Sequence, residues 1–334
     1  MEKHHKYTSA SNKLNVHEVV KLADKIKIVK QETAKVIVGQ DKTVESFIRA
    51  LICNGNVFVE GVPGIAKTLI VKVLGIVSGC DVKRVQFTVD LLPTDIIGLT
   101  IYKPNKGFEV IKGPVFSNFL IADEINRSPP KTQSALLEAM QERQVTIGKQ
   151  SFSLPKPFFV MATANPIEQA GVYTLPEAQL DRFLFKVVMD YPSKNEELLI
   201  MNQNTDIASL EDFGLRKVIS THDILEMQKI VKKIYISPEI ENYILDVVAA
   251  TRDRKRKYSK YIEWGASPRA SIGLFIASKA QALINGRNFV LPQDVKDVAF
   301  DVLRHRIMLN YEAEAENVAV DSIIKEILEE TQTP

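Results

Sequence analysis

"GVPGIAKT", residues 61–68, nearly fits the pattern G-x-x-x-x-G-K-[ST], with Ala66 where the second glycine is expected. A phosphate cradle needs backbone N–H groups aimed inward, a helix N-terminus and a lysine. Gly61 and Gly64 would let backbone approach a ligand closely, Lys67 would reach β- and γ-phosphates, and the Thr68 hydroxyl would hold Mg²⁺. Ala66 fits this use if its backbone is ordinarily helical, because only a positive φ or a steric limit demands glycine. The setting supports the motif: "NVFVEG" reads as a strand over 57–60 ending at Gly61, and an apolar helix follows from Lys67 to about Ser78.

Outward from this turn, short apolar runs read as further strands: "KRVQFT" (83–88), "FLIADE" (119–124), "FFVMATAN" (158–165) and "FLFKVVMD" (183–190). Upstream, the apolar spacing predicts a helix from about Val16 to Lys35, a break at Gly39, and a second helix from about Asp41 to Leu51. "SPPKTQSALLEAMQER" (128–143) is the clearest helix, with Ser128 as its cap and prolines at its start. Strands alternating with helices predict an α/β fold whose parallel sheet is covered on both faces. Two segments interrupt the alternation as hairpins, 99–113 around Pro104–Gly107 and 144–154 around Gly148-Lys149. After Tyr191-Pro192 the pattern is helical, with the best helices at 237–252, 267–286 and 291–307 and no convincing strand series. The expected division is a frayed leader (1–14), an α/β core (15–192) and a helical domain (193–334).

A buried apolar strand that ends in two acids is odd on packing grounds, and Mg²⁺–phosphate chemistry explains "FLIADEINR": Asp123 would hold the metal through water, and Glu124 would polarise an attacking water. Asn165, at another strand's carboxyl end, either holds the water or γ-phosphate or forms a turn. Arg182 either pairs with Asp181 or Glu177 or stabilises a phosphoryl group in a neighbouring subunit. Arg269 follows Ser267-Pro268 and so falls in a helix's first turn, where a cation is unfavourable unless an anion joins it. "RDRKRK" (252–257) reads as a solvated loop, with nucleic-acid contact as the alternative.

Bulk properties exclude more than they assign. With 43 Lys plus Arg against 41 Asp plus Glu, the net charge of +2 gives no whole-protein attraction to nucleic acid or anionic membrane. Cys53 and Cys80 are the two cysteines, with no C-x-x-C, so neither a disulfide framework nor a cysteine zinc site is expected. His4 and His5 belong to the polar leader. No signal core or long apolar run occurs, and the expected setting is soluble and cytoplasmic.

Together, "GVPGIAKT", "ADEINRSPPKTQSALLEAMQE", "TANPIEQAG", "LPEAQLDRF" and "GASPRAS" resemble the motifs of the AAA+ ATPases and, within them, the MoxR family, over about residues 35–330. In that family alanine before the motif lysine is usual. The resemblance implies ATP and Mg²⁺ as ligands and Gly61, Val62, Pro63, Gly64, Ile65, Ala66, Lys67, Thr68 and Leu69 as the Walker A segment. It implies Asp123 and Glu124 as Walker B, with Thr68 and Asp123 toward the metal, and Asn165 as sensor 1. Arg182 would be an arginine finger acting in trans, Arg269 sensor 2, and Val38 and Gly39 of "VIVGQ" part of the adenine pocket. The implied fold is a five-stranded P-loop core with two hairpin inserts that face a ring's pore, and a C-terminal helical lid. The implied role is a ring, as a hexamer, that remodels protein complexes in the manner of a chaperone, with von Willebrand factor A domain proteins among its partners. Two other readings are a nucleic-acid motor, which would use Lys103, Lys106, Lys112 and Lys149 of the hairpins, and a nucleotide-gated scaffold with little turnover.

Overall fold

Apolar strands buried on both faces need cover on both faces, and the chain supplies it in order. The computed structural model describes residues 14–62, 64–104, 107–164, 173–203 and 210–334. The first part runs α1 (Val16–Thr33), α2 (Asp41–Ile52), β1 (Val57–Gly61), α3 (Lys67–Ser78), β2 (Val82–Gln86), α4 (Pro93–Ile97), β3 (Gly98–Lys103), β4 (Gly107–Lys112), β5 (Phe119–Asp123), α5 (Pro130–Glu142), β6 (Gln144–Ile147), β7 (Gln150–Ser153), β8 (Phe159–Ala164), α6 (Glu177–Leu180) and β9 (Phe185–Met189). The second part runs α7 (Lys194–Gln203), α8 (Thr221–Lys233), α9 (Pro238–Ala250), β10 (Ile262–Trp264), α10 (Pro268–Ile284), α11 (Pro292–Leu303), β11 (Met308–Leu309), α12 (Tyr311–Ala315) and α13 (Val320–Glu330).

The sheet has five parallel strands in the order β2-β5-β8-β1-β9. Successive side chains on a strand face opposite ways. Val57, Val59, Ile121, Met161 and Val187 therefore pack on one side with α1–α3. Phe58, Leu120, Ala122 and Val160 pack on the other with Leu136, Leu137 and Met140 of α5. Each such aliphatic or aromatic side chain stabilises the fold by roughly 1.5–3 kcal/mol when fully buried. The first cluster continues into Ile224, Met227, Tyr243, Leu274, Val298 and Ile324 of the helical part, so core and lid share one apolar interior.

The two hairpins are antiparallel pairs, β3–β4 and β6–β7, outside the main sheet; Asn105 and Lys106 at the first tip lie outside the described residues. Prolines start α9, α10 and α11 as the sequence suggests, and Ser237 and Ser267 accept the N-cap bonds of the first two. Ser128 does not cap α5. Pro129 is the N-cap residue, and the Ser128 hydroxyl donates to the Ile125 carbonyl at 3.2 Å. With two prolines at the start, the first turn has few N–H groups for a cap to satisfy.

The pair β10–β11 is absent from the sequence reading because two strands of three and two residues carry no usable periodicity. It also accounts for the basic run. Arg254 donates to the carbonyls of Ile262 and Glu263, Arg252 to that of Ala266, and Arg256 pairs with Asp253 and Glu330. Those arginines brace a loop of their own chain. Among the described residues, no helix is long and apolar enough to cross a membrane.

Candidate nucleotide site

The turn from β1 into α3 is built as a cradle. A Cβ on Gly61 would lie 2.7 Å from the Met189 carbonyl oxygen, so the strand end has no room for a side chain. Gly64 has φ +84° and no heavy atom within 4 Å of where its Cβ would stand, so its backbone borders open space. Ala66 departs from expectation. It is the N-cap of α3 with φ 64° and ψ 20°, a left-handed conformation that an ordinary helical residue does not adopt. The methyl group is thus carried at some strain, on the order of 1 kcal/mol. Ala66→Gly is expected to raise stability by roughly 0.5 kcal/mol, after the greater freedom of glycine in the unfolded chain is subtracted. A urea midpoint for the variant at or below that of the parent would refute this strain. Pro63 lies outside the described residues.

Lys67 opens α3, and its Nζ donates to the Gly61 carbonyl at 2.6 Å. Burial pushes its pKa down, and the nearby charges of Asp123 and Glu124 oppose that shift. Lys67 follows β1, and Asp123 and Glu124 stand at the end of β5, so all three lie at the carboxyl end of the parallel sheet. Thr68 follows, half-buried.

Asp123 ends β5 and is almost fully buried. Its Oδ1 accepts from Thr163 Oγ1 of β8 at 2.6 Å, and its Oδ2 accepts from Arg84 of β2, with the closer nitrogen at 2.6 Å. With both oxygens engaged, the carboxylate suits a hydrated cation better than one bound directly. Glu124 sits at φ 55°, and its N–H donates to Thr163 Oγ1 at 2.9 Å. Its Oε2 accepts from Gln86 at 2.8 Å and from Arg127 at 2.9 Å. The sequence does not mark Arg84, Gln86, Arg127 and Thr163 as site residues. Their only signal there is position on strands or a turn flanking the acids. Asn165 lies outside the described residues.

Beside the cradle is a cavity of about 320 Å³ with apolar walls. Val38, Gly64, Ile65, Ala66 and Leu69 line it from the sheet side, and Pro192, Ile200, Leu210 and Phe213 close it from beyond β9. It has the make-up of a slot for a flat heterocycle: apolar walls next to a phosphate loop. Gly39 falls between the lining residues Val38 and Gln40 without lining the cavity itself, and Gly61 and Val62 do not line it either.

Arg182 and Arg269 are elsewhere. They line a cleft with Asn54–Asn56, which precede β1, and with Phe183 and Leu184, which precede β9. The phosphate loop follows β1, so cradle and cleft lie at opposite ends of the parallel strands. At about 3.3 Å per residue, the strand alone separates them by roughly 13 Å. Of the two readings of Arg182, the pairing with Asp181 or Glu177 does not form among the described residues. Asp181 instead accepts from Arg306 at 2.7 Å and lies 3.6 Å from Arg269. Arg182 is exposed and makes no ion pair among the described residues. Arg306, itself buried, also donates to the carbonyls of Phe183 and Leu184, which ties the segment after α11 to the one carrying Arg182. His305 Nε2 lies 3.1 Å from the Phe183 carbonyl, and burial keeps its pKa well below the usual histidine value.

A parallel sheet in this strand order, a phosphate loop after its fourth-placed strand, paired acids at the end of β5 and a helical lid define a P-loop ATPase core of the AAA+ class. A family model described as "ATPase family associated with various cellular activities (AAA)" matches residues 56–185, and an AAA lid domain model matches 255–327. The chain is 46% identical over 308 residues to the chaperone MoxR1 of Mycobacterium tuberculosis, covering 91% of this chain and 81% of that one. It is 43% identical over 301 residues to YeaC of Bacillus subtilis, covering 90% and 92%. A crystal structure of a candidate ATPase from Cytophaga hutchinsonii superposes with a TM-score of 0.88 at 46% identity, over 95% of this chain and 97% of that one. The chain belongs to the MoxR family of AAA+ ATPases.

Proposed function

We propose that this ATPase turns over Mg²⁺–ATP in a ring of identical protomers, a hexamer, and uses the cycle to remodel a protein client. The observation that carries the ring is the separation of Lys67, Asp123 and Glu124 from Arg182 and Arg269 across the sheet. One chain cannot bring both groups to one phosphate, whereas two neighbours can. Lys67 and the loop N–H groups would hold the phosphates, Asn165 the attacking water, and the apolar cavity with Val38 the base. Arg182 and Arg269 would both act on the next protomer's nucleotide. The working units are the core, 15–192, and the lid, 193–334.

The hydroxyl of Thr68 and the carboxylate of Asp123 are hard oxygen donors of the kind Mg²⁺ prefers, and the engaged oxygens of Asp123 favour contact through water. When bound, the ion would neutralise charge on the phosphates; Glu124 would orient and deprotonate the water.

The client being protein rather than nucleic acid is supported by the hairpin lysines. Lys103 pairs with Glu109 at 2.6 Å, and Lys112 stacks on the rings of Phe116 and Phe152. The name of the M. tuberculosis relative points the same way, and a von Willebrand factor A domain protein is the expected partner type. The buried, unpaired Cys53 and Cys80 suit a reducing cytoplasm. The test is the Glu124→Gln chain held in ATP. Light scattering should give about six times the protomer mass, and the ring should retain protein clients that the ATP-free chain releases. A monomer under those conditions would refute the ring. ATPase stimulation by DNA that weakens steeply with salt would replace the protein client with a nucleic acid.

A further inference from the structure

We propose that Arg143 is a third arginine of the shared site, contacting the triphosphate bound by the neighbouring protomer. The inference rests on the ring reading above and deepens it. Arg143 ends α5 with φ 55°, a left-handed position where glycine is the usual occupant. An arginine held there needs a reason in its side chain. Its guanidinium donates to the carbonyls of Phe158 and, at 2.7 Å, of Asn54, and stacks over the Phe158 ring at 5.4 Å. No carboxylate pairs with it among the described residues. Burial pulls its pKa down to about 10, the sign of a positive charge set into protein without a counter-ion.

The surroundings sharpen this. Arg143 lines the cleft of about 420 Å³ that also holds Arg182, Arg269 and Arg306. Among the described residues Asp181 is the one acid on its walls, and Arg306 already takes it at 2.7 Å. Four arginines against one carboxylate leave three positive charges facing a single opening. A polyanion answers that balance, and a triphosphate is the polyanion that this ATPase's own family supplies. It must be another chain's triphosphate, because the anchoring carbonyls of Asn54 and Phe158 stand just before β1 and β8, at the far end of the strands from the chain's own Lys67.

Arg143→Gln is the test, since glutamine keeps an N–H donor and loses the charge. Turnover should fall about 10²-fold, the usual cost of one donor to a developing anion, while ATP affinity holds. Lys67→Ala protomers bind no nucleotide yet still present Arg143, so adding them should restore hydrolysis in the Arg143→Gln protomers. The same mixture with Arg182→Ala is the control. If Arg182→Ala is rescued and Arg143→Gln is only diluted, the ring stands and Arg143 has no role in trans. If neither is rescued, the ring reading itself fails. Should glutamine unfold the chain in a thermal melt, Arg143→Lys decides: retained turnover supports a charge contact, and turnover lost in a folded lysine variant with no rescue by Lys67→Ala protomers overturns it.

Discussion

Glu124→Gln is expected to lower kcat about 10³-fold while ATP remains bound, within the range attributed to a positioned general base. The position of Glu124 follows from the strand before it. Five consecutive buried residues carry β5 to its end, and the backbone then turns left-handed at φ 55°. Thr163 fixes that turn by accepting from the Glu124 N–H and donating to Asp123, so both acids are set by one hydroxyl. Glutamine keeps the length and an acceptor oxygen for Gln86 and Arg127 but gives up the basicity. Phosphate release and equilibrium nucleotide binding measured on one preparation are the check. Turnover within about tenfold of the parent would remove Glu124 from the chemistry.

The parts of the site that could be read from the chain are those where packing and chemistry conflict locally. A strand covered on both faces is apolar throughout, so Asp123 and Glu124 at its end stand out, and Gly61, Gly64 and Lys67 sit at the matching end of β1. The parallel sheet and both hairpins were legible for the same reason, since short-range pattern determines them. Residues that act through distant contacts left no such mark. Arg84 and Gln86 lie on exposed β2 and read as surface polar residues until β5 is placed beside them. Asp181 precedes Arg182 in sequence, yet its partner is Arg306, 125 positions away. The wall of the apolar cavity formed by Pro192, Leu210 and Phe213 lies before the best of the helices that the pattern predicts in this part of the chain. The left-handed turn at Ala66 was hidden because alanine, unlike glycine or asparagine, does not signal a positive φ.

Arg182→Ala is expected to cost about 10³-fold or more in kcat, as removal of an arginine supplied to a transferred phosphoryl group does, and to leave ATP affinity unchanged. The two halves of that expectation come from one geometric fact. Arg182 lies before β9 and the cradle lies after β1, and these neighbouring strands run parallel, so the residue stands a strand's length from the cradle of its own chain. Arg269→Ala should behave alike but more mildly, because Arg269 is already partly engaged by Asp181 at 3.6 Å whereas Arg182 makes no ion pair among the described residues. Turnover and nucleotide affinity measured side by side separate the cases. An Arg182→Ala chain that lost affinity as steeply as turnover would put this arginine against its own phosphates, which the strand order does not permit, and the division of the site between two protomers would fall with it.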